Sequence, residues 1–188
     1  MTSEAHTVAT ALTVDGVFRE RLAAAPDAPF VKCSGDWLTL AELDDRSDRL
    51  AAGLAALGAG RGTMIATILP NRIETVEILL AVAKLGAVQV PLNYWLKGEF
   101  LEYQLADCGA SVLIADGPGY AAAQDLLAAT AIVDRVVVDE PPPGTVAYAD
   151  LFGERRQFPA VSGPADLVSI MYTSGTTAAA KEIGRAHV

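Results

Sequence analysis

Apolar positions recur first at helical spacing and then in short solid runs. Val14, Val17, Phe18 and Leu22 fall on one face of a helix over Thr13–Ala25, with Thr13 or Asp15 placed to cap it and Pro26 and Pro29 to stop it. Phe30–Cys33 and Trp37–Leu40 flank Ser34-Gly35-Asp36, which predicts a hairpin with a glycine-containing turn. Leu40, Leu43, Leu50, Leu54 and Leu57 predict a second amphipathic helix, started by a capping box between Thr39 and Glu42. Gly58, Gly60 and Gly62 follow it and precede a strand, so they read as a helix stop and turn.

Strands and helices then alternate. The pattern predicts a strand over Met64–Leu69, a helix over Ile73–Leu85 stopped by Gly86, and a strand over Ala87–Val90 stopped by Pro91. A helix over Lys97–Asp107, a strand over Ser111–Ala115, a helix over Tyr120–Ala129 and a strand over Arg135–Val138 continue it. The strands are solid apolar runs rather than alternating ones. That predicts an α/β fold, a layered parallel sheet with helices on both faces and right-handed crossovers. Pro141-Pro142-Pro143-Gly144 breaks the alternation. Leu151–Pro164 reads as a polar surface connection, and Leu167–Tyr172 as one more buried strand.

Composition narrows the function classes. The chain has 188 residues and is 52% hydrophobic, which suits one packed domain or part of a larger one and argues against disorder. The net charge of −9, without a long basic run, argues against nucleic acid or an anionic membrane as partner. Cys33 and Cys108 fit no metal or redox spacing and read as buried packing residues. His6 and His187 sit at the two ends, which leaves no histidine-based constellation. The apolar stretch Ile73–Leu92 is interrupted by Glu74, Glu77, Lys84 and Gln89, so it reads as a core helix and strand and not as a membrane span. Met1–Thr7 lacks the pattern of an export signal, and the cytoplasm is the expected location.

The chemistry sits where the last strand empties into Thr173-Ser174-Gly175-Thr176-Thr177-Ala178-Ala179-Ala180-Lys181. Hydroxyls, an approachable backbone and one cation are what a loop needs to hold phosphate oxygens. It is not a GxxxxGK[ST] loop, because no glycine precedes Lys181 and Glu182 stands where a Ser or Thr would bind Mg²⁺.

Tyr172–Thr177 followed by Lys181 resembles the phosphate loop of the adenylate-forming superfamily, which includes acyl-CoA synthetases, luciferases and peptide-synthetase adenylation domains. The family loop continues Gly, any residue, Pro, Lys, Gly; here Ala178, Ala180 and Glu182 depart from it while Lys181 matches and Ala179 fills the free position. Further segments resemble the amino-terminal part of acyl-CoA synthetases: Leu38–Leu43, Leu69-Pro70-Asn71, Lys84–Val88, Val90–Asn93 and Leu105–Ala110. The resemblance thus runs in order from about Val14 to Lys181. Leu96-Lys97-Gly98-Glu99-Phe100 looks most like carnitine-type and fatty acyl-CoA ligases.

The resemblance implies the amino-terminal part of an adenylation domain over residues 1–181. It implies an AMP-forming ligase that joins a carboxylic acid to coenzyme A at the expense of ATP, with Mg²⁺. It assigns phosphate binding to Thr173, Ser174, Gly175, Thr176, Thr177 and Lys181, and no catalytic residue or metal ligand to this chain. The family's adenine, ribose and lid motifs find no match here, so this chain alone is expected to be inactive. Residues 182–188 read as a tail outside the native protein: one codon set for them, GAG ATC GGA AGA GCA CAC GTC, matches a common sequencing adapter from its second base. Two alternatives stand beside this reading. Gly117-Pro118-Gly119-Tyr120-Ala121-Ala122 fits G-x-G-x-x-A with Asp139 about 20 residues on, as in an NAD(P)-binding Rossmann domain, or is simply a tight strand-to-helix turn. A non-catalytic nucleotide-binding remnant is the other.

Overall fold

In a computed structural model the described residues are 13–173 and 181–187. Helix α1 (Val14–Ala24) leads to an antiparallel hairpin of β1 (Pro29–Cys33) and β2 (Asp36–Thr39), and then to α2 (Leu40–Ala56). The capping box is present: the Glu42 backbone N–H donates to Thr39 Oγ1 at 3.2 Å, and the Glu42 carboxylate accepts from the Thr39 N–H at 2.8 Å. The main unit follows as β3 (Met64–Ile68), α3 (Ile73–Leu85), β4 (Val88–Pro91), α4 (Glu99–Asp107), β5 (Val112–Ala115), α5 (Gly117–Ala123) and β6 (Asp134–Val137). Strands β7 (Val146–Ala147), β8 (Leu167–Thr173) and β9 (Lys181–His187) complete it.

The sheet order is β7-β6-β5-β3-β4-β8-β9. All neighbours are parallel except β8 and β9, which are antiparallel. Alternate residues of the central strands feed two cores. Ile65, Val112, Ile114 and Val136 join α2 and α3 on one face, through Leu50, Leu54, Ile78 and Val82. Ala66, Ile68, Leu113, Ala115 and Val137 join α4 and α5 on the other, through Leu101, Leu105, Tyr120 and Ala123. Solid apolar runs arise because neither strand face meets water. Burying one such Leu or Ile side chain contributes about 2 kcal/mol.

Several expected elements change. The helix predicted from Lys97 begins at Glu99, after Gly98 with φ +58°. The helix predicted over Tyr120–Ala129 starts earlier, at Gly117, and gives way to 3₁₀ turns over Gln124–Ala129. Cys108 is buried but Cys33 is half-exposed, because its hairpin packs on the outside of α1 and α2. The stretch after the prolines holds β7 and a 3₁₀ turn, Tyr148–Leu151, whose Tyr148 and Leu151 are core residues. Gly53 of α2 is the reason this turn can dock: a Cβ there would lie 2.0 Å from the Leu151 carbonyl oxygen. Residues assigned to the tail form most of β9; a backbone ladder accepts most side chains, so the strand bears on geometry and not on their origin.

The charges inside the apolar stretch are buried. Glu77 is 0% and Lys84 1% exposed. Glu77 accepts hydrogen bonds from Arg46 and from Tyr148 Oη. Lys84 Nζ donates to Asp44 Oδ1 at 2.7 Å, Asp48 Oδ1 at 2.6 Å and the Asp44 carbonyl at 3.1 Å. Arg155 closes the cluster on the other carboxylate oxygens of Asp44 and Asp48, at 2.6 and 3.0 Å. The connection expected to be a polar surface segment is therefore strapped to α2, and Arg61 adds bonds to the Val161 carbonyl and both oxygens of Asp166.

Lys84→Met leaves two carboxylates in a dry site with Arg155 as their remaining cation. Stripping one partner from a buried pair costs about 3–5 kcal/mol. At this chain length each kcal/mol moves the midpoint by about 2–4 °C. Thermal unfolding followed by circular dichroism is expected to show a Tm lower by about 10 °C, whereas Arg49→Ala, which breaks the exposed pair with Asp45, is expected to change it by less than about 3 °C.

Candidate functional site

Strands β3, β4, β5, β6 and β8 run parallel, so their carboxyl ends share one edge of the sheet. Ligands of open α/β sheets bind outside that edge. Thr173 is the last residue of β8 and Lys181 the first of β9, and the two are register partners. The ladder sets them ~5 Å apart, so the hairpin brings the two ends of the expected phosphate loop together. Ser174, Gly175, Thr176 and Thr177 lie outside the described residues. Tyr172, just before the loop, packs its ring against the core under α4 and donates its hydroxyl to Asp107 Oδ2 at 2.7 Å.

A second polar group stands where the chain leaves β3 for one face and β5 for the other. Arg72 donates to both oxygens of Glu74, at 2.7 and 3.0 Å, and to Asp139 Oδ1 at 3.2 Å. These bonds to Glu74 hold the Arg72 guanidinium above its usual range. Burial alone would raise Glu74, but Arg72 outweighs it and holds the carboxyl below the usual value. Asp116 caps α5 through the Gly119 N–H at 2.7 Å and accepts the Tyr94 hydroxyl at 3.0 Å, which pushes that phenol up.

This geometry corrects the dinucleotide reading. The N–H of Gly117 points to Asp139 Oδ2 at 3.4 Å and that of Gly119 to Asp116, so carboxylates occupy the donors a pyrophosphate would need. Asp139 is paired with Arg72 rather than free for a ribose. Gly119 is small for packing, since a Cβ would lie 2.6 Å from the Ile68 carbonyl oxygen. The turn reading holds.

Other candidates stay separate. Burial raises the Cys108 thiol above its ordinary value, which makes it a poor nucleophile. Among the described residues no three His, Cys, Asp or Glu side chains converge as a metal site, and no helix is long and apolar enough to cross a membrane. An apolar groove of about 630 Å³ lies between α1, β1 and α3, lined by Val14, Val17, Phe18, Phe30 and Leu80. Sequence reasoning missed the Tyr172–Asp107 and Arg72–Asp139 contacts, which join residues 65 and 67 positions apart. Only Tyr172's place at the loop root marked it beforehand.

Comparison with known proteins places this geometry. A family model described as AMP-binding enzyme matches residues 18–187. The long-chain-fatty-acid–CoA ligase FadD13 of Mycobacterium tuberculosis is 32% identical over 182 residues, covering 91% of this chain and 34% of the ligase. A feruloyl-CoA synthase of Amycolatopsis is 41% identical over 157 residues, covering 84% of this chain and 30% of the synthase. Among solved structures, the inhibitor-bound N-terminal domain of FACL13 from Mycobacterium tuberculosis superposes with a TM-score of 0.78 at 29% identity, over 91% of this chain and 43% of that one. An anthranilate CoA ligase in complex with anthranoyl-AMP, at 23% identity, shares the fold with a TM-score of 0.83 over 93% of this chain and 34% of that one. The chain spans about a third of the length of these two curated relatives.

The Arg72–Glu74 pair sets an acid limb. Glu74 has its folded pKa lowered, so its contribution to stability is full above the unfolded value of about 4.3 and is lost as pH falls through the folded one. Glu74→Gln is expected to lower Tm at pH 7 and to flatten its decline between pH ~5 and ~3. Melting curves across that range check it; an unchanged acid slope contradicts it.

Proposed function

The chain belongs to the AMP-binding enzyme family, and from that membership we propose that the full-length protein is an AMP-forming acyl-CoA ligase. The observation that carries the reading is the β8–β9 hairpin, which presents Thr173 and Lys181 as partners at the edge where the strand carboxyl ends converge. A relative named as a CoA ligase and one named as a feruloyl-CoA synthase support it.

In the proposed first step a carboxylate oxygen attacks the α-phosphorus of ATP. The bond to pyrophosphate breaks, and an acyl-adenylate forms. In the second, the thiolate of coenzyme A attacks the acyl carbon and AMP leaves. The loop's part is to orient the triphosphate and to meet charge on the departing pyrophosphate. We assign the hydroxyls of Thr173, Ser174, Thr176 and Thr177 to phosphate oxygens, Gly175 to close backbone approach, and Lys181 to the pyrophosphate charge. Mg²⁺ arrives with ATP, and we assign it no ligand on this chain. The proposed location is the cytoplasm. Activity is proposed for the full-length protein and not for these 188 residues alone, because the relatives extend over about three times this length.

The test is pyrophosphate exchange into ATP by the full-length enzyme, screened with aliphatic, aryl and carnitine-type acids. Exchange that depends on one class of acid, followed by acyl-CoA formation, is expected; no exchange with any acid contradicts the reading. Lys181→Ala and Thr176→Ala each remove a preorganised phosphate contact, commonly a loss of ~3 kcal/mol. Each is expected to lower kcat/KM for ATP about 100-fold. Rates within twofold of the unmodified enzyme for both would show that the loop does not hold the phosphates.

A further inference from the structure

The two ends of the loop, Thr173 and Lys181, stand where β8 and β9 place them. Strand β8 pairs with β4 at Ser169 and Gln89. Counted along from that pair, Pro91, the end of β4, is level with Met171. Tyr172 and Thr173 therefore run past the end of β4, and proline offers no N–H to bind them there. Their ladder partner is β9, at Glu182 and Lys181, and β9 is the edge of the sheet and the other arm of the same hairpin. A two-stranded hairpin that leaves its sheet is weakly held by itself.

Tyr172 ties this root to the body of the protein. Its ring lies on the core that includes Leu101 and Leu105 of α4. Its hydroxyl donates to Asp107, the last residue of α4, at 2.7 Å. Such a bond to a carboxylate is short and directional. Helix α4 is anchored by buried Leu101 and Leu105, so the bond transmits a fixed position to the residue next to Thr173.

Resting on the phosphate-loop reading, we propose that Tyr172 and Asp107 are positioning residues for adenylation: the pair sets the height of Thr173 and the loop over the sheet edge, and so the fit of the ATP phosphates. Neither touches substrate. The contact is solvent-accessible, so its loss costs the fold little, whereas misplacing a phosphate loop by a fraction of an ångström costs rate.

The experiment uses the full-length enzyme with Tyr172→Phe, Asp107→Ala, Asp107→Asn and the Tyr172→Phe/Asp107→Ala double variant. Pyrophosphate exchange, equilibrium ATP binding and Tm are measured for each. Tyr172→Phe and Asp107→Ala are expected to raise KM for ATP about tenfold, with KM for the acid unchanged and Tm within about 2 °C of the unmodified enzyme. Asp107→Asn keeps an acceptor oxygen and is expected to fall in between. The double variant is expected to be no worse than either single one, because the same contact is lost once. An ATP KM within twofold for Tyr172→Phe, additive losses in the double variant, or losses that follow Tm would overturn the proposal. If the unmodified enzyme exchanges pyrophosphate with no acid, the ligase reading fails separately. ATP affinity then decides the pair, and equal affinity in Tyr172→Phe overturns it.

Discussion

Two-sided burial of the central sheet governs the rest of the structure. Strands β3, β5 and β6 send alternate side chains into two apolar cores, and each core needs helices over it. Crossovers must therefore pass on both faces, which makes the main strands parallel and gathers their carboxyl ends at one edge. The place of the proposed phosphate loop follows from that constraint. It is where β8 ends, and β8 can end only at that edge.

Covering one face required charge in the interior. Helix α3 lies flush on α2 with Lys84 and Glu77 facing inward, and each is matched by an opposite charge and by hydrogen bonds. Burial and the nearby Glu77 carboxylate push the Tyr148 phenol far above its usual range, so it stays a donor to Glu77. The Lys84 cluster also recruits Arg155, whose cation is held above its ordinary value mainly by its bond to Asp48. Through that arginine the connection ahead of β8 is laid back onto α2 and α3. Gly86, at φ +64° with Val161 pressed against it, lets this strap pass close to the end of α3.

The strap and the Tyr172–Asp107 bond constrain opposite ends of β8. Arg61 grips Asp166 just before the strand starts, and Tyr172 grips Asp107 just before it ends. The position of the β8 end, where we propose phosphate binding, thus depends on contacts made by helices and turns far away in the chain. The sequence between Thr173 and Lys181 is all small residues, which is why we propose that the loop's place is set by its root.

The alternation of strands and helices, the capping box at Thr39 and the glycine stop at Gly86 were legible in the sequence, and the loop we propose for phosphate was read there from the hydroxyls, glycine and lysine between Thr173 and Lys181. Each is a local matter of periodicity, backbone conformation or neighbouring side chains. The register of Thr173 against Lys181, the docking of the Tyr148–Leu151 turn on Gly53, the fate of Asp139 as a partner of Arg72, and the burial of Lys84 were decided by the tertiary structure. Lys84 shows the reason. A lone lysine in an apolar helix reads as a charge that must reach water, and only the fold brings Asp44 and Asp48, from 40 and 36 residues earlier, close enough to keep it inside.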